Sequence, residues 1–133
     1  MEATRDVIVH VTGKGPLPRT RLLDCVCAAK AIFERLHPRA LFPREIQIVW
    51  ARERVDGATV YGTFDPWTFR VGLNPGQTRD DAVGTLTHEL WHHLEQINPG
   101  IDGGDERAAE AAETKYTDQV EAIAEHLLEA RRA

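Results

Sequence analysis

The segment from Thr78 to Asn98 constrains this chain more than any other. Thr78 and Asp81 stand at the spacing of a capping box, with Asp in place of the usual Glu or Gln, so a helix is expected to begin near Arg79. Asn98-Pro99-Gly100 stops it after about Ile97. Within those bounds Val83, Leu86, Leu90, Leu94 and Ile97 recur at helical spacing and form one apolar stripe. His88 and His92 fall nearly opposite that stripe on a helical wheel. The segment therefore reads as a helix with an apolar back for the core and a front that presents two imidazoles one turn apart.

The remaining chain supplies what such a helix packs against. Val7–Val11 reads as a first strand, broken by Gly13-Lys14-Gly15-Pro16. A helix is expected from about Thr20, its plausible N-cap, to Leu36, with Leu22, Val26, Ala29, Phe33 and Leu36 at helical spacing and His37-Pro38 ending it. Glu45–Ala51 is rich in β-branched and aromatic residues and reads as a strand. Ala58–Phe64 and Phe69–Leu73 read as a hairpin turning at Asp65-Pro66-Trp67. After a loop at Asp102-Gly103-Gly104, a last helix is expected from about Asp105 to Ala130, with Ala109, Ala112, Tyr116, Val120, Ile123 and Leu127 as its apolar stripe. The order strand, helix, strands, helix, helix implies an α+β fold: a small antiparallel or mixed sheet on about three helices, as one domain over residues 1–133. At 133 residues the chain is long enough to bury a core without staples.

Composition narrows the function classes. A formal net charge of −5 provides no basic field for nucleic acid or anionic lipid. No apolar run reaches the length of a membrane span, and the first residues lack the pattern of a secretion signal, so the expected location is the cytoplasm. Cys25 and Cys27, two apart on an expected helix, diverge; they read as small buried residues rather than a disulfide or a metal site. Trp50 and Trp67 read as core or turn packing.

The chemistry-bearing residues are His88-Glu89-Leu90-Trp91-His92, the pattern H-E-x-x-H. Histidines at i and i+4 on one helix face can reach a single metal ion, and neutral imidazole suits Zn²⁺, which in catalytic sites takes three protein ligands and a water. Glu89, about 100° around the helix from His88, is placed to act on that water as general base and then as acid toward a leaving amine. Gly and His at the third and sixth positions after His92 would extend the motif; those positions hold Glu95 and Asn98. His126 is twenty residues beyond Glu106, roughly 30 Å along a straight helix. The third ligand is therefore sought among carboxylates at the start of the last helix. Glu106 comes first, because the small Ala109 allows close approach and Glu110 can hydrogen-bond a ligand histidine from behind; Glu110 and Glu113 remain as alternatives. Glu95 shares the histidine face but would reach the metal awkwardly from the same helix. His93, at the edge of the apolar stripe, reads as a packed histidine, and Tyr61 as the candidate for stabilising an oxyanion.

His88-Glu89-Leu90-Trp91-His92-His93 followed by Glu106-Arg107-Ala108-Ala109-Glu110 resembles the short gluzincin-type zinc peptidases, including minimal forms from phages and bacterial mobile elements. Gly62-Thr63-Phe64-Asp65-Pro66 through Val71-Gly72-Leu73 is similar to the hairpin preceding their active-site helix, so the resemblance spans about residues 46–117. It implies a zincin-like fold and zinc held by His88, His92 and Glu106. It also implies Glu89 as catalytic base, a peptide or protein substrate, and an edge strand that binds substrate backbone by strand addition. Trp91 stands where that family usually has a small residue. The competing expectation is a zinc-binding regulatory or interaction module that does not hydrolyse.

Overall fold

The structure is a computed structural model describing residues 7–65, 67–101 and 106–132. Pro66, the expected loop Asp102-Gly103-Gly104 and Asp105, the expected first residue of the last helix, lie outside the described residues. Among the described residues the fold is α+β, with three helices, a four-stranded mixed sheet and a separate two-stranded one.

Strand β1 (Ile8–Thr12) leads into α1 (Arg19–Leu36), which returns the chain to β2 (Glu45–Trp50) parallel to β1, with Val9 opposite Ile46. Parallel neighbours need such a crossover, and the helix between them supplies it. A small hairpin follows, β3 (Arg54–Val55) and β4 (Ala58–Thr59), then β5 (Gly62–Asp65) and β6 (Arg70–Leu73). Strand β6 adds parallel to β2 and β5 pairs antiparallel with β6, giving the order β1-β2-β6-β5 with β5 at the edge. Helices α2 (Arg79–Ile97) and α3 (Glu106–Arg132) complete the chain.

Alternation along the strands sends Val9, Ile46, Ile48, Val71 and Leu73 to one face, where they share a core with Leu22, Val26 and Phe33 of α1 and Leu86, Leu90 and Leu94 of α2. The expected stripe of α2 is buried except at its last member, Ile97, which is half-buried. The Thr78 side chain accepts from the Asp81 N–H at 3.1 Å, the cap that starts this helix. Trp91 lies where α1, α2 and α3 meet, edge-on to Phe33 at 5.7 Å and stacked on Tyr116 at 5.0 Å. This large side chain fills the helix junction. Cys25 and Cys27 are free and buried, and burial pushes their thiols up to about 12 and about 11.

Three expectations are corrected. Thr20 is not the N-cap of α1: Pro18 is, in extended backbone, and its carbonyl accepts from the Leu22 N–H at 3.0 Å without a side-chain cap. The expected strand Ala58–Phe64 is two strands. Asp56 and Gly57, both at positive φ, fold Arg54–Thr59 into its own tight hairpin, and β5 starts only at Gly62. Trp67 does not pack in the turn; it is 92% exposed. Among the described residues no helix is long and apolar enough to cross a membrane.

Candidate metal site

His88 and His92 leave α2 on the face turned toward β5 and the start of α3. Glu106, the first residue of α3, meets both: its carboxylate lies 2.7 Å from His88 Nε2 and 3.0 Å from His92 Nε2. Ligand-type atoms of the three side chains lie within 4.8 Å of one another, close enough to hold one metal ion. Helix α3 runs antiparallel to α2 here, because Glu106 reaches His88 and His92 whereas Glu113, seven residues on, reaches His88 and the space beside Gly84. Seven residues bring Glu113 back to nearly the same face, about 10 Å along the helix.

Glu113 has the role that the sequence suggested for Glu110. Its carboxylate is 2.9 Å from His88 Nδ1, whereas Glu110 is exposed and outside the group. A Cβ on Gly84 would stand 3.2 Å from Glu113 Oε2, so the glycine one turn before His88 leaves room for this carboxylate. That glycine inside a helix was the available sequence signal. Glu95 also lies outside the group, and His126 and His10 are exposed.

The donor chemistry fits a cation. A neutral imidazole has one N–H and one lone pair. If His88 gives its Nδ1–H to Glu113, its Nε2 lone pair faces the Glu106 carboxylate, acceptor against acceptor. A cation among His88 Nε2, His92 Nε2 and Glu106 resolves that opposition, and a carboxylate behind a ligand imidazole is the arrangement that fixes its tautomer.

Strand β5 holds the other side. Alternate residues Gly62 and Phe64 face α2. The Phe64 ring stacks on His92 with centroids 4.7 Å apart and planes 10° from parallel. A side chain at Gly62 would fall on the Thr85 methyl and within 3.0 Å of Glu89, so only glycine lets the strand approach so closely. Glu89 is 7% exposed. Burial pushes its carboxyl up to about 7; His88 and His92 oppose this, and Glu106 and Glu113 add to it. His93 points into the core beside Phe69, with centroids 4.9 Å apart, and its buried Nε2 has no hydrogen-bond partner among the described residues. Burial holds its imidazole down at about 4, against a smaller opposing pull from Asp65.

A cavity of about 650 Å³ opens over His88, Glu89 and His92. Strand β5 forms one wall, and Tyr61, 70% exposed, stands on that wall with Val55 of the β3–β4 hairpin. The sequence reading missed this hairpin, although Asp56-Gly57 is a strong short-range turn signal. No protein family, no curated protein and no solved structure was found to match the chain.

Proposed function

We propose that the chain is a zinc-dependent peptidase with a zincin-like arrangement, in which His88, His92 and Glu106 hold the metal and Glu89 is the general base and acid. The observation that carries this reading is the convergence of two imidazole Nε2 atoms and one carboxylate, drawn from two helices, beside a buried glutamate at the floor of a cavity. Two imidazoles and a carboxylate are a common ligand set of catalytic zinc, which keeps a further position open. When bound, zinc would supply Lewis acidity, lowering the pKa of a coordinated water toward 7 and polarising a substrate carbonyl.

The protein side chains do the rest. Glu113 holds His88 by its Nδ1, and Phe64 lies flat against His92, so both imidazoles keep their orientation. Glu89, buried beside both imidazoles at the floor of the cavity, can accept a proton from the attacking water and return it to the leaving amine. The free edge of β5 offers backbone groups to an extended peptide, which would add antiparallel or parallel as a fifth strand across the site.

Metal content by elemental mass spectrometry tests the first half: about one zinc per chain is expected from the three-ligand site, lost in a His88→Ala/His92→Ala protein. Hydrolysis of a mixed peptide library tests the second. Glu89→Gln is expected to keep the metal and to lose activity by about 10²- to 10⁴-fold. Zinc binding with no hydrolysis by the wild-type protein would favour a regulatory or interaction module instead.

A further inference from the structure

We infer that the C-terminal ends of α1 and α2 carry a docking track for an acidic segment of a partner protein that anchors by large apolar side chains. The track shares no lining residue with the cavity over the metal site, and the inference does not depend on the peptidase reading. Three cavities adjoin along it. One of about 410 Å³ lies between α1 and α3, over Trp91 and Ala111. It shares Leu36 and His37 with a second, of about 630 Å³, between the loops that follow α1 and α2. That cavity shares Ala40 and Leu41 with a third, of about 680 Å³, which reaches Ile8 of β1. A single cavity of this size suits a small molecule; three that share walls suit a polypeptide segment.

The track exposes apolar side chains on a fixed backbone. Among the described residues, Ile8, Leu36 and Leu41 are three of the six exposed large apolar side chains, at 53%, 43% and 68%. Half-buried Ile97 and Ile101 line the middle cavity with them. Apolar side chains scattered over a surface are ordinary, but a set gathered along one concave track marks an interaction surface. Asn98, buried at the end of α2, ties the two loops together. Its Oδ1 accepts from the Leu41 N–H at 2.7 Å, and its Nδ2 donates to the Leu41 carbonyl at 2.9 Å and to the Leu94 carbonyl at 2.7 Å. Each loop also closes on itself: the Ala40 N–H donates to the His37 carbonyl at 3.0 Å, and the Ile101 N–H to the Asn98 carbonyl at 2.9 Å. The walls are formed before a partner arrives, so the ordering cost falls on the incoming segment.

Charge decides the occupant. The chain has a formal net charge of −5, yet the track is lined by Lys30, Arg39, Arg44 and Lys115 against Glu34 and Glu95. Glu34 is taken by Lys30, whose ammonium lies 2.9 Å from both carboxylate oxygens. Arg39 and Arg44 are exposed and have no carboxylate partner among the described residues. Arg39 lines the second cavity and Arg44 the third, so each cavity that Leu41 enters holds an unpaired guanidinium. Asp or Glu flanking an apolar anchor would meet these cations at the rim, where charge steers association and rejects basic partners.

The purified chain is panned against a random hexadecapeptide library displayed on phage, and selected peptides are synthesised and titrated by fluorescence anisotropy. The inference predicts peptides with an excess of Asp and Glu over Lys and Arg and a pair of large apolar residues. Leu41→Asp should weaken their binding by about 10-fold or more, as the loss of an anchor does. Arg39→Glu/Arg44→Glu should also weaken it and, panned afresh, should select basic peptides. Both variants change exposed side chains and should match the wild type in urea unfolding, so that lost binding reports the surface. Peptides that bind Leu41→Asp and Arg39→Glu/Arg44→Glu as tightly as the wild type would overturn the inference, whether or not the metal cavity holds them. Selected peptides without an acidic excess, or no selected peptide at all, would overturn it too. A concentration-dependent dimer in sedimentation velocity, dissolved by Leu41→Asp, would give the track to a second copy of the chain instead.

Discussion

Glu89 is buried among groups that do not neutralise it, and this has a stability consequence separable from catalysis. In the metal-free fold its carboxyl is pushed from 4.5 up to about 7, chiefly by burial. A folded-state value above the unfolded one means the folded chain binds the proton more tightly. The resulting contribution is fully present below pH 4.5 and is lost as pH rises through about 7. At about 1.4 kcal/mol per unit, the displacement corresponds to about 3 kcal/mol of stability given up between those limits. Glu89→Gln carries no charge to bury. With EDTA present, urea unfolding should give the two proteins nearly equal stability near pH 4.5, and Glu89→Gln should become the more stable by about 3 kcal/mol near pH 8. Subtracting one profile from the other cancels the groups that do not interact with Glu89, His93 included, and leaves Glu89 together with the groups coupled to it, His88, His92, Glu106 and Glu113. A difference that stays constant between pH 4.5 and 8 would refute the reasoning, since it would mean that Glu89 ionises in the fold as it does in the unfolded chain. The same variant, loaded with zinc, is the one expected to lose hydrolysis, so the base would be a residue whose burial costs stability.

Three further outcomes follow from the packing around the site. Glu113→Gln should weaken zinc affinity by about 10- to 100-fold in a competition titration, because His88 loses the carboxylate that orients it, whereas Glu110→Gln should leave affinity unchanged. His93, held down at about 4 from 6.5, works opposite to Glu89: its contribution is present above pH 6.5 and is lost as pH falls through about 4. His93→Leu should therefore flatten the acid limb of the metal-free stability profile, and an unchanged acid limb would show that this imidazole does not stay neutral in the core. Trp91→Ala should cost about 3–5 kcal/mol in urea unfolding, because it empties the junction between Phe33 and Tyr116; a cost below about 1 kcal/mol would mean that the three helices do not depend on it.

What the sequence by itself determined is what depends on neighbours within a few residues. The boundaries of α2, its Thr78 cap, its apolar stripe and the common face of His88 and His92 all follow from helical periodicity and local capping, and the structure has them where the spacing placed them. The β5–β6 pairing was legible for the same reason, since hairpin partners are close in the chain. Glu106 was ranked first of three acids by the size of its neighbours; only the antiparallel docking of α3 on α2 brought it, rather than Glu110, against both imidazoles. That docking also assigned Glu113 to His88 Nδ1, through a register between two helices that no local pattern encodes. The parallel pairing of β1, β2 and β6 likewise joins strands far apart in sequence. The resemblance had implied an edge strand beside the site, and β5 is that edge; tertiary structure alone decided its contacts with α2, Gly62 against Glu89 and Phe64 against His92, because those depend on how closely a strand and a helix approach across the core.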